Sequence, residues 1–167
     1  MKKSPRYKDK LIEVNHKDAV ISTFILFVQT AQAVLKYADA FLNRKTRLSV
    51  SKLIVLKALE TSSRAMMPSE IAKWTNTERN NITTLIARMN KDGLVKAERN
   101  SSDKRQVHIK LTDKGREVLR QSMPVAQEVV NQVMLSLTED DAKLLKERLK
   151  ILRQNSHYGL ESFTKSS

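Results

Sequence analysis

The chain has 167 residues, enough for one compact unit with a hydrophobic core, and its 31 Lys and Arg residues outnumber its 18 Asp and Glu residues. The net charge of +13 favours a polyanionic partner, nucleic acid ahead of an acidic membrane surface, although a basic surface without a specific partner gives the same number. The absence of cysteine excludes disulfides, thiolate metal sites and cysteine redox sensing within these residues, and it agrees with a reducing cytoplasm.

The N-terminal quarter is predicted to be a basic arm followed by a long helix. Residues 1–15 are rich in lysine and poor in apolar residues, which is typical of a flexible arm. Over residues 16–44 apolar side chains recur every three or four positions, so we expect a helix that packs on two sides, against a second subunit or as the central helix of one chain. The longest apolar run, Val20–Val28, is too short to cross a bilayer, so we expect no membrane partner.

Two shorter helices are predicted next. Leu48–Thr61 has helical apolar spacing, and Ser49 or Ser51 can cap its start. Pro68–Trp74 begins with a proline, which suits a first turn because its missing N–H would be unpaired there anyway. The turn at residues 75–77 contains no glycine, but two helices joined by so short a turn match a helix-turn-helix.

The helix that follows this turn has two different faces. Ile82, Leu85, Ile86 and Met89 make one apolar stripe at helical spacing, and Gly93 ends the helix. The opposite face carries hydrogen-bond donors and acceptors that suit phosphates and base edges, where the alternative is an ordinary solvated helix face. The candidate DNA-binding residues on this face are Arg79, Asn80, Asn81, Thr83, Thr84 and Arg88.

A β-hairpin is predicted after this helix. In Gln106–Leu111 apolar and polar residues alternate, as in a half-buried strand, and Leu94–Arg99 is its partner strand. The loop between the strands, residues 99–105, is polar and basic. A polar-faced helix followed by a basic hairpin is the plan of a winged helix-turn-helix.

Two more helices are predicted towards the C-terminus. Thr112 can cap a helix that reaches about Leu135, and Pro124 should kink or split it, because proline removes a backbone donor from the helix. Residues 138–141 read T-E-D-D and resemble a capping box, with an aspartate in the closing position. They start a last helix that reaches about Gln154.

Three motifs, in this order and at this spacing, resemble the MarR family of bacterial transcription regulators. Residues 91–95 read K-D-G-L-V, residues 103–105 read D-K-R, and residues 111–115 read L-T-D-K-G. The family pattern has a recognition helix ending in G-L-[IV], a wing containing D-x-R, and a closing L-T-x-x-G. The resemblance covers roughly residues 16–155 and implies a mainly α fold with a small β-hairpin wing, a winged helix-turn-helix plus a helical dimerisation region.

The resemblance also implies an assembly and a set of wing contacts. The expected assembly is a homodimer whose winged units straddle a pseudo-palindrome in double-stranded DNA, with half-sites about 34–36 Å apart. Arg105 is expected to enter the minor groove, whose narrow form concentrates negative potential, while Asp103 pairs with Arg105 and fixes its direction. The candidate DNA-binding residues of the wing are Arg99, Asp103, Lys104 and Arg105.

The domain organisation expected from this resemblance is one MarR-like unit between two flanking segments. The flanking segments are a basic arm and a polar tail. The central unit divides into a DNA-binding part and a dimerisation part. The predicted bounds are 1–15 for the arm, 16–155 for the unit, 46–112 for its winged helix-turn-helix, 16–45 and 113–155 for its dimerisation helices, and 156–167 for the tail.

Two positions depart from the family pattern. Ala97 stands where the family often has arginine, and Arg99 lies on the same strand face and could substitute for it. Thr84 stands where the family often has a basic residue, which leaves Asn80 and Asn81 as the better candidates for reading bases. Asparagine suits adenine in the major groove, so we expect an operator that leans towards A·T pairs.

The function expected from these features is a sequence-specific DNA-binding transcription regulator, a repressor that responds to a small ligand. Family ligands bind near the junction of the dimer base and the winged unit, where Tyr37 and Phe41 are candidates by position. One alternative is an architectural, sequence-indifferent DNA-binding protein. Another is a winged helix that contacts proteins, although residues 78–88 lack the exposed apolar side chains such a surface needs.

Catalytic and cofactor sites are not expected. The three histidines are far apart in sequence, which argues against a metal site, and there is no glycine-rich phosphate loop. No nucleophile, base and orienting acid form a recognisable set. We therefore predict no enzyme, no metal and no cofactor, with a small-molecule effector of unknown identity as the one expected ligand.

Overall fold

The structure is a computed structural model that describes residues 18–99 and 107–165. Within these residues the chain forms six helices and one two-stranded antiparallel sheet, which confirms the predicted mainly α fold with a small hairpin. Contacts divide the chain into two compact units, Met1–Val125 and Ala126–Ser167. The elements in chain order are α1 Ala19–Thr46, α2 Val50–Ser62, α3 Pro68–Thr75, α4 Arg79–Lys91, β1 Val95–Arg99, β2 Val107–Leu111, α5 Asp113–Val133 and α6 Glu139–Lys165.

Helix α1 is long and largely uncovered. Asp18 caps its start, with its Oδ1 atom accepting a hydrogen bond from the Val20 N–H at 2.8 Å. Of its 28 residues, Ala38 and Leu42 are buried. Among the described helices, α1 is the one long and apolar enough to cross a membrane, with a mean hydropathy of 1.5 over its most apolar 18 residues. The sequence prediction considered only the run Val20–Val28, whereas this longer window also includes the uncharged Thr, Gln and Ala residues that follow Val28.

The winged unit has a hydrophobic core built from elements α2 to α5. The stripe predicted on α4 is confirmed, since Ile82, Ile86 and Met89 are buried and Leu85 packs against them half-buried. Each buried stripe residue removes apolar surface from water, which is the main favourable contribution to folding. The largest fully buried side chains of this core are Leu56, Ile71, Ile82, Met89, Ile109 and Leu119.

The hairpin is extended by a third backbone pairing that the sequence did not indicate. Strands β1 and β2 pair in antiparallel register, with Val95 opposite Leu111. The Met66 N–H donates to the Ile109 carbonyl at 3.0 Å, and the Ile109 N–H donates to the Met66 carbonyl at 2.8 Å. Residues 63–67 connect α2 to α3, and this isolated bridge ties that connection to the second strand.

Helix α3 begins with a charged capping arrangement. The Glu70 carboxylate accepts a hydrogen bond from the Met67 N–H at 2.7 Å and pairs with the Arg64 guanidinium at 2.6 Å. The Arg64 guanidinium and the Met67 N–H lower the pKa of Glu70 from 4.5 to about 2. Both interactions favour the charged carboxylate, so they stabilise the fold only while Glu70 is ionised.

We expect Glu70→Gln to make stability less sensitive to acid. Glutamine can still accept the Met67 N–H but loses the ion pair, so unfolding free energy should fall by about 1 kcal/mol at pH 7. Because the folded pKa is lowered, the stabilisation is present above the ordinary pKa of 4.5 and is lost as pH falls towards about 2. Melting temperatures of both proteins between pH 7 and pH 2 should therefore converge in acid. A difference in melting temperature that stays constant between pH 7 and pH 2 would contradict the prediction. Glu60→Gln, which removes a carboxylate from an exposed ion pair, serves as the control.

The C-terminal helices differ from the sequence prediction in two respects. Helix α5 runs through Pro124 without being split, although its predicted start and the capping box before α6 are confirmed. Helix α6 continues to Lys165 instead of ending near Gln154, so the predicted tail at 156–167 is wrong over most of its length. The interior glycine of this segment, Gly159, costs only about 1 kcal/mol and does not end the helix, and the Ser156 Oγ is satisfied within the helix by donating to the Leu152 carbonyl at 2.9 Å.

Candidate nucleic-acid interface

Helix α4 presents a continuous polar face to solvent. Its buried stripe fixes the rotation of the helix, so the residues between the stripe positions must point outwards. The helix contains no acidic residue, so the face is cationic at neutral pH. The candidate residues that the structure brings together on this exposed face are Arg79, Asn80, Asn81, Thr83, Thr84 and Arg88.

The start of α4 is open to an anion. Glu78 is the N-cap residue, and it makes no side-chain cap hydrogen bond. The Ile82 N–H is satisfied by the Glu78 carbonyl at 3.1 Å, but the N–H groups of the first turn have no such intrahelical acceptor. Together with Arg79 beside them, they suit a phosphate oxygen.

The threonine hydroxyls of this face are partly used by the helix itself. The Thr83 Oγ1 donates to the Arg79 carbonyl at 2.9 Å, and the Thr84 Oγ1 donates to the Asn80 carbonyl at 3.2 Å. The hydroxyl hydrogen of each threonine is therefore already used, which leaves an oxygen lone pair and a methyl group for other partners, and a threonine methyl suits the methyl of thymine. Within the described residues, the amides of Asn80 and Asn81 keep both donors and acceptors for other partners.

The structure describes only part of the predicted wing contacts. The backbone of Arg99 ends β1, whereas Asp103, Lys104 and Arg105 lie outside the described residues. On the strands, Glu98 accepts from Lys110 at 2.7 Å and lies 3.2 Å from Lys96. These lysines lower the pKa of Glu98, and the one carboxylate offsets part of their charge, which argues against a primary role in phosphate binding.

Two of the three sequence motifs meet at the end of α4. Gly93 adopts a left-handed conformation, with φ of 72°, and the Leu94 N–H donates to the Met89 carbonyl at 2.9 Å. The Thr112 Oγ1 donates to the Gly93 carbonyl at 2.7 Å and to the Leu94 carbonyl at 3.0 Å. The motifs at 91–95 and 111–115 therefore bond to each other and join the end of α4 to the start of α5.

A cleft of about 420 Å³ lies between α2 and α4. Its floor includes the buried side chains of Val55 and Ile82, and its rim includes Asn81, Thr84 and Arg88 from the polar face. Sequence reasoning missed this cleft because its walls come from helices that are distant in sequence. The other residues that line it are Ser51, Ile54, Thr75, Thr77 and Leu85.

Tyr37 and Phe41, the candidate ligand-binding residues, form an aromatic pair on α1. The rings of Tyr37 and Phe41 lie 5.7 Å apart on α1, and the Lys45 Nζ lies 4.6 Å from the Phe41 ring centroid. This aromatic pair does not line the cleft between α2 and α4. The described residues contain no group of three or more acidic or histidine side chains that could hold a metal ion.

The helix pair α3–α4, the hairpin behind it and the polar face of α4 define a winged helix-turn-helix protein. Residues 40–121 match the family model of the transcriptional regulator SarA/Rot. The transcriptional repressor MprA of Escherichia coli K12 is 33% identical over 91 residues, covering 53% of this chain and 51% of MprA. The chain thus spans about half the length of the curated relatives it matches.

Solved structures agree over a larger part of the chain. Sco3205, a MarR family transcriptional regulator from Streptomyces coelicolor in complex with DNA, is 27% identical with a TM-score of 0.76, over 84% of this chain and 90% of that one. An organohalide-sensing regulator bound to 2,4-dichlorophenol has the same fold, with a TM-score of 0.77 at 22% identity over 91% of this chain and 88% of that one. The comparisons confirm the winged helix-turn-helix fold and the resemblance of this chain to MarR family regulators.

Proposed function

We propose that this chain is a sequence-specific DNA-binding transcription regulator that acts as a repressor. The observation that carries the proposal is the exposed, acid-free polar face of α4, held outwards by the buried stripe of Ile82, Ile86 and Met89. A net charge of +13 supports a nucleic-acid partner, and MprA is itself named a transcriptional repressor.

The residues of this face divide into two roles. Arg79 and Arg88 bind phosphates, and the open start of α4 adds backbone N–H groups to the same task. Asn80 and Asn81 read base edges, and their amide geometry suits the paired donor and acceptor of adenine. The methyl group of Thr84 adds a contact for thymine, so the preferred half-site is rich in A·T pairs.

A homodimer would cover the apolar surface that each subunit leaves in water. Val20, Phe24 and Leu26 on α1 are more than half exposed, and so are Leu160 and Phe163 on α6. The fold that covers 91% of this chain in a solved regulator leaves fewer residues outside than α1 contains, so at least part of α1 belongs to that fold. We therefore assign the exposed apolar surface of α1 to an interface with a second subunit and not to a bilayer. This assignment agrees with a cytoplasmic protein.

The cleft between α2 and α4 offers a site for a small-molecule effector. Asn81, Thr84 and Arg88 belong both to its rim and to the DNA-binding face, so a ligand in the cleft would compete with DNA for them. A ligand lowers DNA affinity only to the extent that it binds the free protein better than the DNA-bound protein. A ligand that needs Asn81, Thr84 or Arg88 would bind the free protein better than the DNA-bound protein, because DNA already occupies these side chains.

Two other functions predict different binding behaviour. An architectural protein would bind operator and scrambled duplexes with equal affinity, because phosphate contacts carry no sequence information. A winged helix that contacts proteins would expose apolar side chains on α4, whereas the residues exposed there are mainly polar or charged. The polar face therefore favours sequence-specific DNA binding.

Footprinting of the purified protein on its own upstream DNA tests the proposal. We expect a protected, pseudo-palindromic site whose half-sites lie about one helical turn apart. A salt titration against the protected duplex and a scrambled duplex should then show tighter binding to the protected one at every salt concentration. Equal affinities for both duplexes would overturn the regulator and favour the architectural protein.

We expect Arg105→Ala to weaken operator binding by roughly 1–3 kcal/mol, because the sequence motif assigns this arginine to the minor groove. The measurement is a gel-shift titration with the footprinted duplex. Lys57→Ala removes the same charge from α2, at a residue outside the candidate DNA-binding set, and should leave affinity nearly unchanged. Equal affinity of Arg105→Ala and the unsubstituted protein would refute the contact.

A further inference from the structure

Asp92 occupies a position that opposes the dipole of α4. It is the C-cap residue of this helix, where the carbonyl groups of the last turn concentrate partial negative charge. A carboxylate at this end is unfavourable unless cations offset it. The Asp92 carboxylate is therefore in an electrostatically unfavourable position, and residues in such positions often serve function.

Two lysines from two other helices offset this conflict. The Lys52 Nζ on α2 donates to the Asp92 carboxylate at 2.7 Å, and the Lys114 Nζ on α5 donates to the Asp92 main-chain carbonyl at 2.7 Å. The Lys52 ammonium lowers the pKa of the Asp92 carboxyl. The side chain of Lys52 is 23% exposed and that of Asp92 is 45% exposed, so the pair is partly shielded from water.

These contacts join three helices at one end of α4. The apolar stripe of α4 fixes which face is buried, but apolar packing is not directional and sets the helix angle only loosely. Charged hydrogen bonds are directional and stronger than neutral ones. The Thr112 hydroxyl adds hydrogen bonds to the Gly93 and Leu94 carbonyls at the same junction. The end of α4 is thus held from α2 and from α5 at once.

We propose that Lys52, Asp92 and Lys114 form a clamp that sets the angle of α4 against DNA. They are positioning residues for base reading, although none of them belongs to the polar face. The proposal rests on the proposed DNA-binding function. It predicts that loosening the clamp reduces affinity for the preferred DNA sequence more than affinity for a scrambled one, because base contacts need tighter geometry than phosphate contacts.

The test compares Lys52→Met, Asp92→Asn and Lys114→Met with Lys57→Met, which removes a lysine charge from α2 outside the clamp. Dissociation constants are measured for the footprinted and the scrambled duplex, together with melting temperature. We expect each clamp variant to lower the ratio of the two affinities roughly tenfold, because misplaced base contacts are lost while phosphate contacts are kept. Lys57→Met should leave the ratio unchanged, and Lys52→Arg, which keeps the ion pair, should retain most of it.

Two outcomes would overturn the clamp. One is an equal loss of affinity for both duplexes, which would reduce the lysines to general phosphate attraction. The other is an unchanged ratio in folded variants. If the unsubstituted protein itself does not discriminate, the proposed function fails, and amide hydrogen exchange without DNA decides the clamp separately. Faster exchange at Gly93 and Leu94 in Lys52→Met and Lys114→Met supports the clamp, and unchanged exchange overturns it.

Discussion

Gly115→Ala is expected to destabilise the winged unit by about 3 kcal/mol, because an added Cβ would collide with the Leu94 carbonyl oxygen and approach the Leu111 Cδ1 to 2.8 Å. The Leu94 carbonyl cannot move away cheaply. It accepts hydrogen bonds from the Thr112 Oγ1 at 3.0 Å and from the Thr112 N–H at 3.3 Å, and Leu94 is buried. A thermal melt should show a midpoint roughly 10 °C lower.

The other two glycines supply matched controls for this substitution. Gly159 lies inside α6 with no neighbouring atom within 4 Å of an added Cβ, so Gly159→Ala should stabilise by about 0.5–1 kcal/mol. Gly93 has room for a Cβ but a φ of 72°, so Gly93→Ala should cost about 1 kcal/mol of backbone strain. A melting temperature for Gly115→Ala at or above that of Gly93→Ala would contradict the close packing at residue 115.

The fold of the winged unit was predictable wherever short-range pattern determines structure. Ile82, Leu85, Ile86 and Met89 recur with the helical period, so their common burial could be predicted without any neighbouring element. The end of α6 could not be predicted in this way. Residues 155–157 are polar, and such residues occur in solvated helices and in tails alike, so composition did not mark where the helix ends.

The candidate site shows the same division between local and distant interactions. The polar face of α4 follows directly from its buried stripe, so its six residues could be named from sequence. The cleft and the Lys52–Asp92 pair could not, because they join elements that are 40 residues apart in the chain and depend on how helices pack. The bonding of the Thr84 hydroxyl to its own helix was equally invisible, since an exposed threonine can bond either to water or to the backbone.

Phe24→Asp is expected to convert a dimer into monomers and to lower operator affinity by about a hundredfold or more. The Phe24 side chain is 63% exposed in the single subunit, so a charge there costs little in the subunit itself. At an interface with a second copy, the same carboxylate would be buried without a partner, which costs several kcal/mol. Loss of the dimer removes the second half-site contact, and bivalent binding accounts for roughly 10²–10⁴ of affinity.

Sedimentation velocity and gel-shift titration measure the two effects in one set of samples. Gln32→Asp adds the same negative charge to an exposed polar position of α1, so it corrects for the weaker attraction between protein and phosphate. We expect Gln32→Asp to remain dimeric and to bind nearly as well as the unsubstituted protein. If Phe24→Asp also remains dimeric, α1 contributes no interface. If it becomes monomeric with unchanged affinity, one recognition helix suffices, and the expected pairing of two half-sites by one dimer is wrong.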